Sequence, residues 1–374
     1  MRVINHLADF SSLGGVQSYI YGLCNKFPEN YCIYNSGSEV LDIYRNKSIE
    51  YKKLFSFKFF FNRTREIFIV HNLILSKKWI LIYFLLRIKG CEVIYHEHGS
   101  AWSNPQKNKD RYNKRIIKYK KIIVNSDATK YLLNNFYKVD TNLKVLRSPI
   151  FIYEEILNNK KNSVDRKVDK TKKDKLIIGY IGRLAFHKNP SFLIALALQL
   201  KEKYEEKVEL HFVGSGPERN NLQNLCKEKN IDSIFWGRVK DRREGLSKWK
   251  YCIVPSIREP LGLIPGEMAI QNILTFSSKV DGLRELYPID CNYLLIDMKK
   301  NKKSDNSNIQ FLPKYNDFGY NYYPNVSQCV EKIINLNKNH DKYIELLIKH
   351  RNFIKKNFDI SKHSEELREF VFKS

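Results

Sequence analysis

Alternation between short apolar runs and helical patterns constrains the fold of this chain more than any other feature. In the first half, apolar runs such as Tyr31 to Asn35 and Ile67 to His71 are separated by helical patterns such as Val16 to Lys26. The same alternation starts again at Leu176 and continues to Phe276. Strands that alternate with helices form parallel sheets with helices on both faces. The sequence therefore predicts an α/β fold with two doubly wound parallel sheets.

Length and charge patterning predict where the chain divides. At 374 residues, the chain exceeds the size at which a single core usually stops growing, so two domains are expected. Residues 158–175 are almost entirely polar or charged, which is typical of a linker. We predict an N-terminal domain over 1–157 and a C-terminal domain over 176–352. Residues 353–374 are predicted to form a helical tail that packs back on the N-terminal domain.

Cysteine usage and hydrophobic run lengths exclude several classes of protein. Seven cysteines without a C-x-x-C pair indicate neither a zinc site nor a disulfide scaffold, and they favour a reduced, cytoplasmic compartment. The opening from Met1 to His6 enters a strand-like run and does not resemble a signal peptide. The longest apolar run, Trp79 to Leu86, is far shorter than the roughly 20 residues that span a bilayer. We predict that it forms a core-facing helix.

A formal net charge of +25 calls for a polyanionic partner, which could be nucleic acid, anionic lipid or an acidic ligand. The lysines are spread along the whole chain, so charge alone does not choose among these partners. The run from Leu54 to Arg63 combines five phenylalanines with basic residues, as expected of a segment that binds an anionic membrane surface. A position in the core is the alternative for these phenylalanines.

The stretch from Arg258 to Ala269 carries the strongest candidate site. It follows the apolar run Tyr251 to Pro255, so it lies where a strand hands over to a helix that begins near Ile264. Glycines in this loop allow a close backbone approach, and unpaired amides at a helix start favour a phosphate. Glu259 and Glu267 flank the loop as acceptors, which suits a diphosphate with a hydroxyl-bearing ring at each end. Solvated helix caps are the alternative for both carboxylates.

Other strand ends carry further candidates. Gly182, Arg183 and Lys188 follow the first strand of the second half, where the two cations could clamp a diphosphate or remain solvated. Gly214 lies in a Gly-Ser-Gly turn that could shape a nucleotide pocket or only reverse the chain. Gly15 is the second of two adjacent glycines between the first strand and its helix, and it is a weaker candidate of the same kind.

A pair of histidines ends another strand, in the stretch Tyr95 to Ser100. Glu97, between the two histidines, points to the opposite face of the strand, and no third ligand is evident in the sequence, so no metal site is predicted. We expect His98 alone to reach a ligand cleft, because Gly99 marks the turn out of the strand.

Together, these motifs resemble the GT-B-fold retaining glycosyltransferases of family 4, the glycosyl transferases group 1 type. The resemblance covers nearly the whole chain and is strongest from Ile178 to Glu285. The shared pieces, in family order, are Gly14-Gly15-Val16, His98-Gly99, Val124 to Ala128, Gly182-Arg183 with Lys188-Asn189-Pro190, Val213 to Glu218, Phe235 to Val239, and Glu259 to Leu263 with Glu267-Met268-Ala269. Asn272 departs from the family glycine after this last helix, a change that is tolerable because Asn also adopts left-handed backbone geometry.

The resemblance implies roles for the matching residues. Two Rossmann-like domains would face a central cleft. Glu259 would hydrogen-bond the transferred sugar, Glu267 the ribose, and Arg183 with Lys188 would hold the diphosphate and stabilise the leaving group. Donor contacts would also come from Gly15, Gly182, Gly214 and the loop Leu261, Gly262 and Leu263. His98 would contact the donor sugar near the reacting carbon.

The resemblance also implies chemistry and partners. The donor would be a UDP- or GDP-linked sugar, with no metal and no other cofactor. Transfer would retain the anomeric configuration, with the donor's own phosphate accepting the proton, so Glu259 is not expected to be a general base. The acceptor would be a lipid-linked or surface-polysaccharide glycan at the cytoplasmic face of the membrane. Alternatives are a GT-B phosphorylase, a nucleotide-sugar epimerase and a basic nucleic-acid-binding protein.

Overall fold

A computed structural model describes residues 3–11, 14–36, 48–50, 66–71, 74–103, 105–151, 175–237, 246–300 and 322–373. The chain forms two compact units. The first contains Met1–Pro149 with Phe358–Ser374, and the second contains Ile150–Asn357. The run Leu54 to Arg63 and all of the linker 158–175 except its last residue lie outside the described residues.

A seven-stranded parallel sheet forms the centre of the first unit, in the order β3-β2-β1-β4-β5-β6-β7. Its strands are β1 (Ile4–Ala8), β2 (Tyr31–Asn35), β3 (Ser48–Glu50), β4 (Ile67–His71), β5 (Glu92–Glu97), β6 (Lys121–Val124) and β7 (Asn142–Val145). Every residue of β1 and β4 is buried, as expected for parallel strands covered on both faces. The strand order reverses between β1 and β4, the position where such sheets bind ligands beyond the carboxyl ends of their strands.

Five helices lie in the described part of the first unit. They are α1 (Gly15–Lys26), α2 (Trp79–Ile88), α3 (Pro105–Ile116), α4 (Asp127–Asn135) and the C-terminal α10 (Ile360–Phe372). Helix α10 is held by polar contacts of buried side chains. The Tyr31 hydroxyl lies 2.6 Å from the Ser364 hydroxyl, and the Tyr19 hydroxyl lies 2.8 Å from His363 Nε2. The structure thus assigns the chain from Phe358 onward to the first unit, whereas the sequence predicts that the tail begins at residue 353.

The second unit is built on a six-stranded parallel sheet in the order β10-β9-β8-β11-β12-β13, beside a small antiparallel pair, β14 and β15. Its strands are β8 (Leu176–Ile181), β9 (Val208–Val213), β10 (Asp232–Gly237), β11 (Tyr251–Val254), β12 (Leu274–Ser278), β13 (Leu295–Ile296), β14 (Met298–Lys300) and β15 (Tyr322–Pro324). Its helices are α5 (Phe192–Tyr204), α6 (Arg219–Glu228), α7 (Ile264–Ile270), α8 (Val326–Lys338) and α9 (His340–Asn357). The strand order reverses between β8 and β11.

Helix α2 corrects one prediction. Trp79, Ile82 and Leu86 face the core, but Ile80 and Phe84 are 60% and 61% exposed. The run is therefore only half core-facing, because a helix of ten residues covered on one side leaves its other apolar stripe in solvent. None of the helices in the described ranges combines the length and apolar character needed to cross a bilayer.

Candidate active site

The loops after β8 and β11 form the candidate site of the second unit. These strands are neighbours in the sheet and lie where the strand order reverses, so the loops after them share one edge. A backbone hydrogen bond joins the loops directly, since the Ile257 amide donates to the His187 carbonyl at 2.9 Å. Two polar stretches that are about seventy positions apart in sequence are thus side by side.

An ion pair between Lys188 and Glu259 is the main polar contact between these loops. The Lys188 ammonium donates to Glu259 Oε2, and the Ser256 hydroxyl donates to the same oxygen at 3.2 Å. The Lys188 side chain is 24% exposed and that of Glu259 is 12% exposed. The pair is therefore largely withdrawn from water yet open on one side, which leaves both charges accessible to a polar ligand.

A buried carboxylate holds the backbone of Glu259 in place. The Glu259 amide donates to Asp281 Oδ2 at 2.9 Å, and the Gly282 amide donates to the Glu259 carbonyl at 3.1 Å. Arg258 Nε lies 3.3 Å from the same Asp281 oxygen. Burial raises the pKa of Asp281 to about 6, although the neighbouring Arg258 guanidinium lowers it. Asp281 is thus a positioning residue that the sequence-based prediction did not include.

Glycines bring the loops of this edge into close contact. The Gly182 amide donates to the Val213 carbonyl at 3.0 Å, and the Gly214 amide donates to the Gly237 carbonyl at 2.7 Å. A Cβ on Gly214 would lie 1.9 Å from the Gly182 carbonyl oxygen, and the φ angle of Gly214 is +133°. Only glycine satisfies both conditions, so the packing of the β8 and β9 loops requires Gly214.

The loop between Glu259 and helix α7 also depends on a glycine. Gly262 has a φ angle of +78°, and a Cβ there would lie 2.6 Å from Cγ of Glu259. The backbone of Leu261, Gly262 and Leu263 therefore passes directly beside the Glu259 side chain. Helix α7 begins at Ile264, as the sequence predicts.

Two further predictions concern helix α7. Glu267 lies in its first turn and is half-buried, and its role as a ribose contact stays a prediction. Asn272, just beyond the helix, has a φ angle of +58°, which confirms the left-handed geometry expected where the family has glycine. Its side-chain oxygen accepts a hydrogen bond from Arg351 at 2.7 Å.

The structure therefore brings Lys188, Glu259 and the Leu261 to Leu263 loop together, with Gly182 and Gly214 packed at the same sheet edge. Arg183 lies on the loop after β8 and its side chain is exposed. Gly15 and His98 belong to the first unit. Their predicted contacts with the donor, and the diphosphate role of Arg183, stay predictions.

In the first unit, Gly15 opens helix α1. A Cβ added to it would meet no heavy atom within 4 Å among the described residues. The packing of the described protein therefore does not explain a glycine here.

His98 lies in a cluster of imidazoles, and its expected position at a ligand cleft stays a prediction. His71, at the end of β4, pairs in register with His96 of β5, and its Nδ1 lies 2.9 Å from His98 Nε2. His6 of β1 extends the chain, with its Nδ1 2.8 Å from His71 Nε2. Because β4 adjoins both β1 and β5, histidines far apart in sequence meet at one sheet edge. The third histidine that the sequence did not reveal is His71.

The environment of the cluster keeps its members neutral. Burial lowers the pKa of His6 and of His98 to about 3, and it places the pKa of His71 and His96 well below the ordinary value. Neighbouring imidazoles add to this effect in each case.

The turn that carries His98 is fixed by the buried carboxylate of Glu97. That carboxylate accepts hydrogen bonds from the amides of Gly99, at 2.5 Å, and Ala101, at 3.1 Å. It also accepts from the hydroxyls of Tyr95, at 2.9 Å, and Tyr112, at 2.6 Å. Burial raises the pKa of Glu97, while these four hydrogen bonds lower it.

Part of the chain is similar in sequence to known proteins. Residues 161–311 match the family described as Glycosyl transferases group 1. EpsF of Bacillus subtilis (strain 168), which is named as a glycosyltransferase, is 23% identical over 190 residues, or 48% of this chain. The matched part spans about half of EpsF, 49% of its length.

Two solved structures share the fold along nearly the whole chain. HepE of Anabaena, solved in complex with UDP and glucose, aligns over 99% of both chains with a TM-score of 0.70 and 12% identity. Sucrose-phosphate synthase of Thermosynechococcus elongatus aligns over 98% of both chains with a TM-score of 0.70 and 15% identity. At these identities the likeness shows the fold alone, and it confirms the predicted α/β class with two doubly wound parallel sheets. The family match is thus confined to residues 161–311, whereas the shared fold extends along nearly the whole chain.

Proposed function

We propose that this protein is a retaining glycosyltransferase of family 4 that moves a sugar from a nucleoside-diphosphate donor to a glycan acceptor. The observation that carries the proposal is the Lys188–Glu259 ion pair at the point where the strand order of the second unit reverses. Doubly wound sheets bind nucleotides at this position, beyond the carboxyl ends of the strands. The structure of HepE with UDP and glucose supports a UDP-linked sugar as the donor, and a GDP-linked sugar is the other candidate.

The two partners of the ion pair have complementary tasks in this proposal. Lys188 exchanges its carboxylate partner for the diphosphate of the donor and stabilises the negative charge that develops as the sugar departs. Glu259 turns to the hydroxyls of the transferred sugar, while Asp281 continues to hold its backbone amide. Exposed Arg183 adds a bidentate donor to the diphosphate, and Glu267 hydrogen-bonds the ribose. The side chains neutralise the leaving group, so the transfer proceeds without a metal at the diphosphate.

In the proposed chemical step, no side chain of the protein attacks the sugar as a nucleophile. The bond between the anomeric carbon and the diphosphate oxygen breaks through an oxocarbenium-like transition state. The acceptor hydroxyl attacks the same face, and its proton passes to the departing phosphate oxygen. The anomeric configuration is therefore retained, and Glu259 positions the sugar without abstracting a proton.

A donor screen tests the proposed function. Purified protein is incubated with UDP-glucose, UDP-galactose, UDP-N-acetylglucosamine and the GDP-linked sugars, and release of nucleoside diphosphate is followed. We expect slow hydrolysis of at least one donor without acceptor, together with protection from thermal unfolding by that donor. Neither release nor protection with any of these donors would contradict the proposal.

The acceptor is proposed to be lipid-linked or membrane-associated, because helix α2 presents an apolar face beside basic side chains. The exposed fractions are 60% for Ile80, 53% for Leu81 and 61% for Phe84. A groove of about 570 Å³ runs along this face and is bordered by basic residues of α3 and the turn after it, namely Arg111, Lys114, Arg115 and Lys118, with one acidic residue, Asp110. Each cation near an anionic leaflet contributes about 1 kcal/mol to binding. The combination fits an anionic bilayer surface.

Vesicle flotation tests the membrane part of the proposal. We expect wild-type protein to float with vesicles of phosphatidylglycerol and phosphatidylcholine but to bind pure phosphatidylcholine weakly. The double variant Ile80→Gln, Phe84→Gln should lose roughly tenfold in binding, because it removes two exposed apolar side chains without touching the core. The matched control is Ile289→Gln in the second unit, where the isoleucine is 85% exposed. Equal loss in the control, or equal binding to both kinds of vesicle, would contradict the assignment of this face.

A further inference from the structure

The imidazole cluster of the first unit has the composition of a transition-metal site. His71, His96 and His98 each offer a ring nitrogen, and these three nitrogens lie within 4.8 Å of one another. Neutral imidazole is a ligand suited to zinc, copper, iron and nickel, whereas magnesium and calcium take oxygen ligands. The group contains no carboxylate, so its chemistry favours the first set of metals.

The ring nitrogens of His96 are not satisfied by hydrogen bonds within the described protein. Both of its ring nitrogens are buried, and neither has a hydrogen-bond partner among the described residues. Two unsatisfied polar atoms in one buried ring are unusual, because buried polar groups nearly always find a partner. A metal ion would accept the lone pair of one of these nitrogens.

The outer contacts of the cluster also fit metal binding. A histidine that binds a metal through one nitrogen usually donates its other N–H to an acceptor that orients the ring. If Nδ1 of His71 binds the metal, its Nε2 carries the proton and lies 2.8 Å from Nδ1 of His6. His98 lies just beyond β5 and is only half-buried, which gives an ion a path to the site.

The distances require small adjustments on binding. Ligand nitrogens of a tetrahedral zinc site lie about 3.3 Å apart, given Zn–N bonds of about 2.0–2.1 Å. Nδ1 of His71 and Nε2 of His98 are 2.9 Å apart, a hydrogen-bond distance at which the tautomers decide which nitrogen donates. For a cation to bind between them, each of these two nitrogens must offer its lone pair while the ring proton sits on the other nitrogen of the same ring. Binding would then open this pair and draw the His96 ring nitrogen inward.

We propose that His71, His96 and His98 form a three-histidine site that binds one Zn²⁺ ion and leaves a fourth coordination position open. The site is built from the first unit alone and does not depend on the proposed donor chemistry of the second unit. It joins the carboxyl ends of β4 and β5, so occupancy stabilises that edge of the first sheet. The position of His6 identifies it as the residue that orients the His71 ligand.

Zinc binding to the full-length protein tests this proposal without any activity measurement. Protein stripped with a chelator is titrated with Zn²⁺ in competition with a chromogenic indicator, and Co²⁺ is added separately to record its visible spectrum. We expect one equivalent of Zn²⁺ to bind, an increase in Tm, and Co²⁺ bands typical of nitrogen ligands in a four-coordinate site.

His96→Asn is the most informative variant, because the His96 ring nitrogens make no hydrogen bond to the described protein. We expect this variant to keep the far-ultraviolet circular dichroism spectrum of the wild type but to bind Zn²⁺ at least 100-fold more weakly. His6→Asn should weaken binding by about 10–100-fold, as is usual for an orienting partner. The matched control is His340→Asn, at the exposed start of α9, which should bind as the wild type does.

The outcomes separate two accounts of the cluster. Loss of stoichiometric zinc in His96→Asn, with zinc retained in His340→Asn, supports the site. Absence of stoichiometric zinc from the wild type, or identical binding by wild type and His96→Asn, would overturn it and leave a hydrogen-bonded chain of imidazoles.

Discussion

Replacing Lys188 with alanine is expected to lower donor turnover by at least about 100-fold, the loss seen when one preorganised partner of a developing negative charge is removed. In the proposed mechanism the ammonium faces the diphosphate as the glycosidic bond breaks. Its effect is greatest in the transition state, so kcat should fall more than KM rises. Initial rates of nucleoside-diphosphate release over a range of donor concentrations give both parameters.

A second lysine provides a matched control for this prediction. Lys349 also pairs with a carboxylate, Glu345 at 2.6 Å, but it lies on helix α9 and its side chain is 42% exposed. Lys349→Ala should therefore turn over donor at the wild-type rate. Lys188→Ala leaves the Glu259 carboxylate without its cation. The double variant Lys188→Ala, Glu259→Gln removes that unpaired charge. Comparing the two variants therefore distinguishes a loss of turnover caused by misfolding from one caused by the missing ammonium. Wild-type rates in a folded Lys188→Ala variant would show that Lys188 has no role in donor turnover.

Gly214→Ala is expected to produce the largest loss of stability among single substitutions at the candidate site. The new Cβ would lie 1.9 Å from a backbone oxygen, and backbone cannot move aside as a flexible side chain can. Steric overpacking and the φ angle of +133° should together reduce the free energy of unfolding by about 3–5 kcal/mol. The corresponding fall in Tm is roughly 6–20 °C for a unit of this size, measured by calorimetry.

Gly15→Ala is the control for the loss of stability. An added Cβ there meets nothing within 4 Å among the described residues, so Tm should change little. Because Gly15 is a predicted donor contact, only stability is compared between the two variants. Equal Tm values for Gly214→Ala and the wild type would show that the β8 and β9 loops are not packed as described.

Strand positions were the most predictable part of the fold. The runs Tyr31 to Asn35 and Ile67 to His71 match the observed strands residue for residue, and the second alternation begins with a strand at Leu176 as predicted. Each is a short apolar run bounded by polar residues, and a parallel strand buried on both faces needs little more than that. The start of α7 at Ile264 was also predictable, because a proline follows at a position that the first helical turn tolerates.

The candidate site was predictable in part. The loop after β8 and the loop after β11 were both chosen because ligands bind beyond strand ends, and the structure places Lys188 against Glu259. The role of Asp281 was not evident, since its importance comes from a hydrogen bond to the Glu259 amide 22 positions away. A contact of this kind depends on how two loops pack, and no local pattern encodes it.

The imidazole cluster shows why strand order matters for such predictions. His96 and His98 were visible as a pair, but His71 and His6 join them only because β4 lies between β1 and β5. Periodicity predicts that strands exist without predicting which strands are neighbours. The exposed side of α2 was missed for a related reason, since a uniformly apolar run does not reveal which of its faces is covered.

Calorimetric titration of UDP, and then of GDP, tests whether the loops after β8 and β11 hold a nucleoside diphosphate. We expect the wild type to bind one of the two nucleotides saturably, Lys188→Ala to bind it at least tenfold more weakly, and Lys349→Ala to bind it as the wild type does. If neither nucleotide binds, or if wild type and Lys188→Ala have the same affinity, these loops do not hold a nucleoside diphosphate.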